Sequence, residues 1–306
     1  MMSFNESPMI CLMGPTASGK TPIAIELANE FPLEIISVDS AMVYRGLNIG
    51  TAKPTSAELK KAPHHLIDIR DPKEIYSAGE FYQDAFAAIE IIKAKGKIPL
   101  LVGGTMLYFR VLQKGMAHLP KADPILRRKL QQQIEQTGLA TLYQQLQRVD
   151  PQAAARIKVQ DSHRIQRALE IYLLTGKPIS AWQAETKTPP QHQFQQIAIM
   201  PERVQLHQRI QERFDNMLQL GFLDEVRQLY DRGDLSPELP AIRSVGYRQA
   251  WDYLAGKITY QIMCERAITA TRQLAKRQLT WLRSWPNVYR INLDQTLEKV
   301  RKQIKI

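Results

Sequence analysis

Gly14-Pro15-Thr16-Ala17-Ser18-Gly19-Lys20-Thr21 fits the pattern G-x-x-x-x-G-K-[ST], and what flanks it decides the fold. Ahead of it, Pro8-Met9-Ile10-Cys11-Leu12-Met13 is a short apolar run that reads as a buried strand. Behind it, Ile23, Ala24, Leu27 and Ala28 recur at helical spacing after Lys20. Pro22 falls in the first helical turn, where a missing N–H costs little. A glycine-bearing loop between strand and helix turns successive N–H groups inward and sets the positive end of the helix beneath them, an arrangement suited to phosphate oxygens. Lys20 adds a full charge, and the Thr21 hydroxyl is of the kind that holds the Mg²⁺ accompanying phosphates. The loop thus points to a pyrophosphate- or polyphosphate-bearing substrate. By itself it suggests ATP.

Outward from the loop, Leu33 to Val38 reads as a second strand, ending at Asp39-Ser40. Tyr76 to Lys95 reads as a helix, and Ile98 to Val102 as another buried strand, ending at Gly103-Gly104-Thr105. Strands alternating with helices predict a parallel sheet covered on both faces. From Pro124 to Thr175 the sequence is rich in Gln, Arg, Leu and Ala at helical spacing, and Thr186 to Gln193 is a polar, proline-bearing exit before Gln195 to Met200 resembles a strand again. The expected fold class is α/β: a P-loop NTPase-like parallel sheet core, residues 1–117 and 198–306, plus an inserted helical domain, residues 118–197. From Arg203 onward the pattern is mainly helical, with turns at Gly233-Asp234 and Ser236-Pro237.

Open parallel sheets bind ligands at the carboxyl ends of their strands. Gly14, Asp39 and Gly103 each follow a strand and are expected on one rim. Asp39 also suits a turn or cap, and Thr105 a helix N-cap. A carboxylate beside a pyrophosphate makes little sense for binding alone, because like charges repel. It makes sense as a Mg²⁺ ligand or as a general base, the latter in a transfer where pyrophosphate leaves and a nucleophile loses a proton.

The chain has 306 residues, 44% hydrophobic and 23% charged, which excludes extended disorder. No apolar run is long enough to cross a bilayer, and the N-terminal stretch lacks the pattern of a signal peptide, so a cytoplasmic protein is expected. Cys11 and Cys264 read as reduced structural thiols. The histidines do not assemble a metal site from spacing, and the adjacent His64 and His65 cannot share one strand or helix face. Tyr76, Phe81, Tyr82 and Phe86 read as core at helical spacing.

A net charge of +11 invites a polyanion, although a basic surface can simply be solvated. The charge gathers in Arg127-Arg128-Lys129, in His163-Arg164 with Arg167, in Arg243 to Arg248, and in a helix from Thr271 to Arg283. In that helix Arg272, Lys276 and Arg283 fall near one stripe, Leu274, Gln278 and Leu282 near another, and Trp281 adds a stacking surface near the charges. These clusters tip the balance toward nucleic acid.

Eight blocks then resemble the tRNA dimethylallyltransferases, also called tRNA isopentenyltransferases: GPTASGKT (14–21), VDSAMVYRGLNIGTAKP (38–54), HHLIDI (64–69), VGGTMLYF (102–109), DPQAAARI (150–157), HRIQRALEIYLLTGKPIS (163–180), IRSVGYRQ (242–249) and TRQLAKRQLTWLR (271–283). They span nearly the whole chain. The resemblance implies transfer of a dimethylallyl group from dimethylallyl diphosphate to N6 of the adenosine just 3′ of the anticodon, with Mg²⁺ as cofactor and the anticodon stem-loop of tRNA as partner. It implies that residues 14–21 hold the donor diphosphate, that Asp39 is the general base, that Thr105 lies near the bond that breaks, and that Arg213 contacts the diphosphate. A monomer is expected, although no residue pattern in the sequence reveals the oligomeric state. By the same resemblance the tRNA-contacting positions are Asp39-Ser40-Ala41-Met42, Thr105, Arg127, His163-Arg164-Ile165-Gln166-Arg167, Arg243-Ser244-Val245-Gly246-Tyr247-Arg248 and Lys276-Arg277-Gln278-Leu279-Thr280-Trp281-Leu282-Arg283. Pro22 and Lys158-Val159-Gln160 depart from the commonest family residues. Two other readings remain: a P-loop kinase acting on a small metabolite, against which the basic content outside the core argues, and a non-catalytic, nucleotide-gated RNA-binding module, against which Asp39 and Thr105 on the rim argue.

Overall fold

In the computed structural model the described residues are 8–117, 119–185, 193–293 and 296–304. The N-terminal stretch before Pro8 and most of the proline-bearing exit, 186–192, lie outside them. In chain order the elements are β1 (Met9–Met13), α1 (Lys20–Glu30), β2 (Leu33–Val38), α2 (Ser56–Lys61), β3 (His64–His65), α3 (Ala78–Ala94), β4 (Ile98–Gly103) and α4 (Met106–Lys114). Then come α5 (Pro124–Thr137), α6 (Leu139–Val149), α7 (Pro151–Ala154), α8 (Ser162–Thr175) and α9 (Ile179–Ala184). The chain continues through β5 (Phe194–Ile199), α10 (Arg203–Gln219), α11 (Phe222–Asp231), α12 (Tyr247–Leu254), α13 (Tyr260–Arg283), β6 (Tyr289–Ile291) and α14 (Thr296–Gln303).

The strands form one parallel sheet in the order β3-β2-β4-β1-β5-β6. Residues of β1, β2 and β4 are buried along their whole length, as expected where helices cover both faces. Side chains alternate between those faces. Ile10, Leu12, Ile35, Leu100 and Ile199 pack with Ala24, Ile25 and Leu27 of α1 and Val300 of α14. On the other face α3 lies against β2 and β4, burying Phe81, Ala85, Ile89 and Ile92. The α3 helix starts at Ala78, not at Tyr76, because Ser77 caps it: the Ser77 hydroxyl accepts from Glu80 N–H while the Glu80 carboxylate accepts from Ser77 N–H. β3 and β6 are too short to leave a period in the sequence, and both fell in stretches read without strands.

The chain divides into two compact units, Met1–Gln113 with Gln191–Ile306, and Lys114–Pro190. β5 pairs along its length with β1, so residues 194–197, expected within the insertion, belong to the sheet. The second unit is helical. Two of its helices open on Asp-Pro pairs: Asp123 accepts from Ile125 and Leu126 N–H, and Asp150 from Ala153 N–H, each with proline at the first helical position. Leu130, Leu142, Leu146, Ile165 and Leu169 form its core.

Register sets the rim. Met13 aligns with Gly103, which aligns with Val38. Gly14, Gly104 and Asp39 therefore leave the sheet side by side, as the sequence predicts for its carboxyl edge.

Candidate active site

A cleft of about 1050 Å³ lies over this rim in the first unit, lined by the phosphate-type loop, Asp39, Thr105, Arg213 and residues of α13. Typical small-molecule pockets hold roughly 300–1,000 Å³, so this one stands at the upper end of that range.

The loop connects β1 to α1 as the motif requires. Lys20 folds back onto it: its ammonium donates to the carbonyls of Gly14 at 2.9 Å and Pro15 at 2.6 Å and to the Ser18 hydroxyl at 3.2 Å. Burial and the nearby Arg213 push Lys20 down to about 7, against the pull of Asp39. Arg213, on α10, is also lowered by burial, with Asp39 again opposing. Its guanidinium donates to the Thr51 carbonyl at 3.1 Å. Among the described residues these two crowded cations hydrogen-bond to neutral oxygens and share the field of one carboxylate, an imbalance that a polyanion would relieve.

Asp39 does adopt a turn: Oδ1 accepts from Ala41 N–H at 2.8 Å and Met42 N–H at 3.2 Å. That fixes the carboxylate and leaves Oδ2 outside the turn. Thr105 precedes α4 as an N-cap would, yet its Oγ1 reaches across to accept from Ser40 N–H at 3.1 Å. Thr105 N–H in turn donates to the Val38 carbonyl at 3.3 Å. The two candidate residues are thus stitched into one unit. Gly103 permits this contact, since a Cβ there would lie 2.0 Å from the Val38 carbonyl oxygen.

Sequence reasoning did not foresee how three residues support this site, Gln278 among them having been expected only as a tRNA contact. Glu225, buried on α11, accepts from the consecutive N–H groups of Asn48, Ile49 and Gly50 and from the Tyr247 hydroxyl, fixing the cleft wall beside Thr51. Lys53 donates to the Tyr44 carbonyl, Asn48 and Asp68, closing the same loop. Gln278 contacts the phosphate-type loop itself. None of these parts has a local motif: Glu225 and Gln278 join segments far apart in sequence, and Lys53 bonds within the loop it closes at no regular spacing. Tyr76, read as core, is buried and also lines the cleft, while Phe81 stacks on Tyr108 at 4.1 Å.

The basic segments separate on inspection. On α13 the face toward the cleft is Thr271, Leu274, Gln278 and Trp281 with Arg277, not the Arg272-Lys276-Arg283 stripe. Steps of three and four residues make that face continuous. Lys276, Arg277, Thr280 and Arg283 are exposed, whereas Leu279 and Leu282 are buried against the unit. Arg243 and Arg248 are exposed and Ser244 and Val245 line the cleft, but Tyr247 is core, held by Glu225. In the second unit His163 and Arg164 are exposed and Ile165 is core. The side chains of Ile165, Tyr247, Leu279 and Leu282, expected within tRNA-contacting stretches, are buried and seat those stretches, with Tyr247 also lining the cleft. Gln166 bonds to Gln131. Arg127 and Arg167 both close on buried Glu170: Arg127 in a bidentate pair at 2.9 and 3.2 Å, Arg167 at 2.6 Å with a second bond to the Pro120 carbonyl.

The two histidines part: His64 meets the Ala62 carbonyl at 2.7 Å and lines the cleft, while His65 lies in a charged cluster on the sheet. His65 meets Glu34 at 2.9 Å, and Lys95 and Lys97 complete the cluster. Burial pushes Glu34 up, but these three partners outweigh it and hold the carboxyl at about 2.

Comparison with known proteins gives a consistent result. The IPP transferase family model matches residues 42–285. A tRNA dimethylallyltransferase of Coxiella burnetii (strain RSA 331 / Henzerling II) is 56% identical over 294 residues, 95% of this chain and 94% of that protein. Among solved structures, the full-length tRNA isopentenylpyrophosphate transferase of Bacillus halodurans superposes with a TM-score of 0.71 at 36% identity, over 97% of this chain and 95% of that one. A eukaryotic dimethylallyltransferase caught acting on tRNA superposes with a TM-score of 0.80 at 31% identity, over 94% of this chain and 74% of that one.

Proposed function

This chain belongs to the IPP transferase family, and on that premise we propose that it is a tRNA dimethylallyltransferase, moving a dimethylallyl group from its diphosphate to tRNA. The observation that carries the reading is the meeting of a phosphate-type loop, a fixed carboxylate and two buried cations that this one carboxylate offsets only in part, all in one cleft.

The acceptor in this proposal is N6 of the adenosine 3′-adjacent to the anticodon. An exocyclic adenine amine is a poor nucleophile, because its lone pair is delocalised into the ring. As N6 bonds to C1 of the prenyl group and the C1–O bond breaks, Asp39 Oδ2 takes the amine proton. Loop amides, Lys20 and Arg213 stabilise the charge gathering on the departing diphosphate. The products are N6-dimethylallyladenosine and diphosphate. The base must leave its stack to reach the rim, and the size of the cleft favours such an arrangement.

Mg²⁺ is part of the proposal. Among the described residues no three His, Cys, Asp or Glu side chains gather to cage a metal, but Thr21 brings a hard hydroxyl oxygen to the cleft. That fits a cation completing its shell with phosphate oxygens and water. When bound, it supplies further neutralisation of the leaving group. The helical insertion and exposed cations of α13 grip the anticodon stem-loop, the working form is a monomer, and the setting is cytoplasmic. No helix among the described residues is long and apolar enough to cross a membrane.

The test is direct. Incubate the protein with unmodified tRNA, Mg²⁺ and either dimethylallyl diphosphate or ATP, then digest the RNA and examine its nucleosides by mass spectrometry. Prenylated adenosine that depends on the diphosphate is expected. Phosphate transfer from ATP with no prenylation from any tRNA would sink the proposal in favour of a kinase.

A further inference from the structure

Gln278 lies on the cleft face of α13, between Arg277 and Trp281, inside a stretch whose resemblance implies RNA contact. Its carboxamide is bound to the rim of the cleft itself, where both of its partners lie. Oε1 accepts from Thr16 N–H of the phosphate-type loop at 2.9 Å, and Nε2 donates to the Gly104 carbonyl at 2.8 Å. One partner requires an acceptor and the other a donor, so the amide orientation is fixed by its surroundings. The approach is close: a Cβ on Gly104 would lie 2.5 Å from Nε2 and 3.0 Å from the Gly14 carbonyl oxygen.

Gly104 immediately precedes Thr105, which is bonded to Ser40 and Val38 beside Asp39. A single line of hydrogen bonds therefore runs from Thr16 through Gln278 to Gly104, and from Thr105 to the strand end carrying Asp39. The loop at one end would hold the leaving diphosphate, and the carboxylate at the other would take the proton. A transfer in which one bond breaks as another forms needs those two ends at a fixed separation. Small misplacements are costly: an error of about 1 Å can lower a rate on the order of a hundredfold.

We infer that Gln278 is a positioning residue for the transfer, holding the diphosphate loop in register with Thr105 and Asp39, rather than an RNA contact. The inference rests on the prenyl-transfer reading above.

The experiment compares wild type, Gln278→Ala and Gln278→Glu with the full-length protein, dimethylallyl diphosphate and unmodified tRNA. Expected is a fall in kcat of about tenfold to a hundredfold for Gln278→Ala. KM for both substrates should stay within about threefold, and the melting temperature and the salt dependence of tRNA affinity should not move. Gln278→Glu keeps an acceptor for Thr16 but sets a carboxylate against the Gly104 carbonyl, so its kcat should fall at least as far. Because Gln278 acts through the turn bearing Thr105, the losses in a Gln278→Ala, Thr105→Ala double variant should not multiply. Unchanged kcat overturns the inference. So does a loss confined to tRNA affinity with a shallower salt slope, which marks a phosphate contact instead. A wild type that makes no prenylated RNA overturns the transfer reading and takes this inference with it; an active wild type beside an equally active Gln278→Ala overturns the inference alone.

Discussion

The two units hold their cations in opposite ways. On the rim, Lys20 and Arg213 donate to carbonyl and hydroxyl oxygens, and burial lowers both. In the helical insertion, Arg127 and Arg167 close on Glu170, a carboxylate with no exposure. A carbonyl satisfies an N–H without cancelling its charge, whereas a carboxylate cancels it. The rim therefore keeps positive charge in reserve for a polyanion, and the insertion uses charge to hold its own α5 and α8 together. Sequence sees the same residue types in both places; the partner decides the task.

The largest expected effect tests the rim. Asp39→Ala should lower kcat by roughly 10²–10⁴-fold, the usual weight of a general base, and leave tRNA affinity within about threefold. Equal losses in both would remove the proton-acceptor role.

Next comes the insertion. Glu170→Gln leaves two partly exposed guanidiniums without their counter-charge, which solvent screens, so the insertion should lose about 1–3 kcal/mol. Hydrogen exchange should show α5 and α8 opening, with donor affinity at the rim unchanged. Glu170 also sets a pH limit. Burial raises its carboxyl, but Arg167, Arg127 and the Asp123 N–H overcome this and hold it below the ordinary 4.5. Its contribution is therefore complete above pH 4.5 and declines as pH falls through the lower folded value. An insertion equally stable when Glu170 is neutral would erase the contrast between the units.

The rim cations predict a pH effect of the opposite sign. Lys20 in the free protein titrates near 7, and an anion in the loop should raise that value by favouring the ammonium. Donor binding then takes up a proton above pH 7, and affinity falls by up to about tenfold per pH unit. Calorimetry in buffers of different ionisation enthalpy measures the uptake. Lys20→Arg, which does not titrate, should flatten the dependence; an identical slope in both proteins would show that Lys20 is not its source.

The smallest effect separates two neighbours on α8. Arg164 is exposed and, among the described residues, pairs with Asp161 at 3.3 Å, a surface contact of little value. Arg164→Ala should reduce the salt slope of tRNA binding by about one and leave stability unchanged. Arg167→Ala should weaken the insertion itself, because that side chain ties Glu170 to the Pro120 carbonyl. If both variants alter only the salt slope, the Glu170 cluster is not what holds Arg167.

Much of this was legible in the sequence, for identifiable reasons. β1, β2 and β4 announce themselves because buried parallel strands are largely apolar runs, while β5, with Gln195 and Gln196 in its half-buried first half, is a weaker signal; residues 14–21, Asp39 and Thr105 follow from where the first three end. β3 and β6, of two and three residues, carry no period and owe their strand state to the neighbours they pair with. Glu225 and Gln278 are ordinary helical residues by spacing. Their roles arise from contacts with Ile49 and Thr16 that no local pattern encodes. The basic stretches were visible as composition, but which members are core, such as Ile165 and Leu282, depended on the face each helix turns inward.

The position of β1 has a consequence for how the protein is made. β1 sits in the middle of the sheet, between β4, which closely precedes the insertion, and β5, which follows it. During synthesis the strand bearing the phosphate-type loop can gain its first neighbour early, but its other edge stays open until residues 194–199 have left the ribosome. Meanwhile the insertion, continuous in sequence and with its own core, can complete itself. The nascent chain therefore passes through an interval in which an apolar strand edge is unpaired, the condition under which chains associate wrongly. The interruption that brings a helical unit into the fold also delays closure of the sheet.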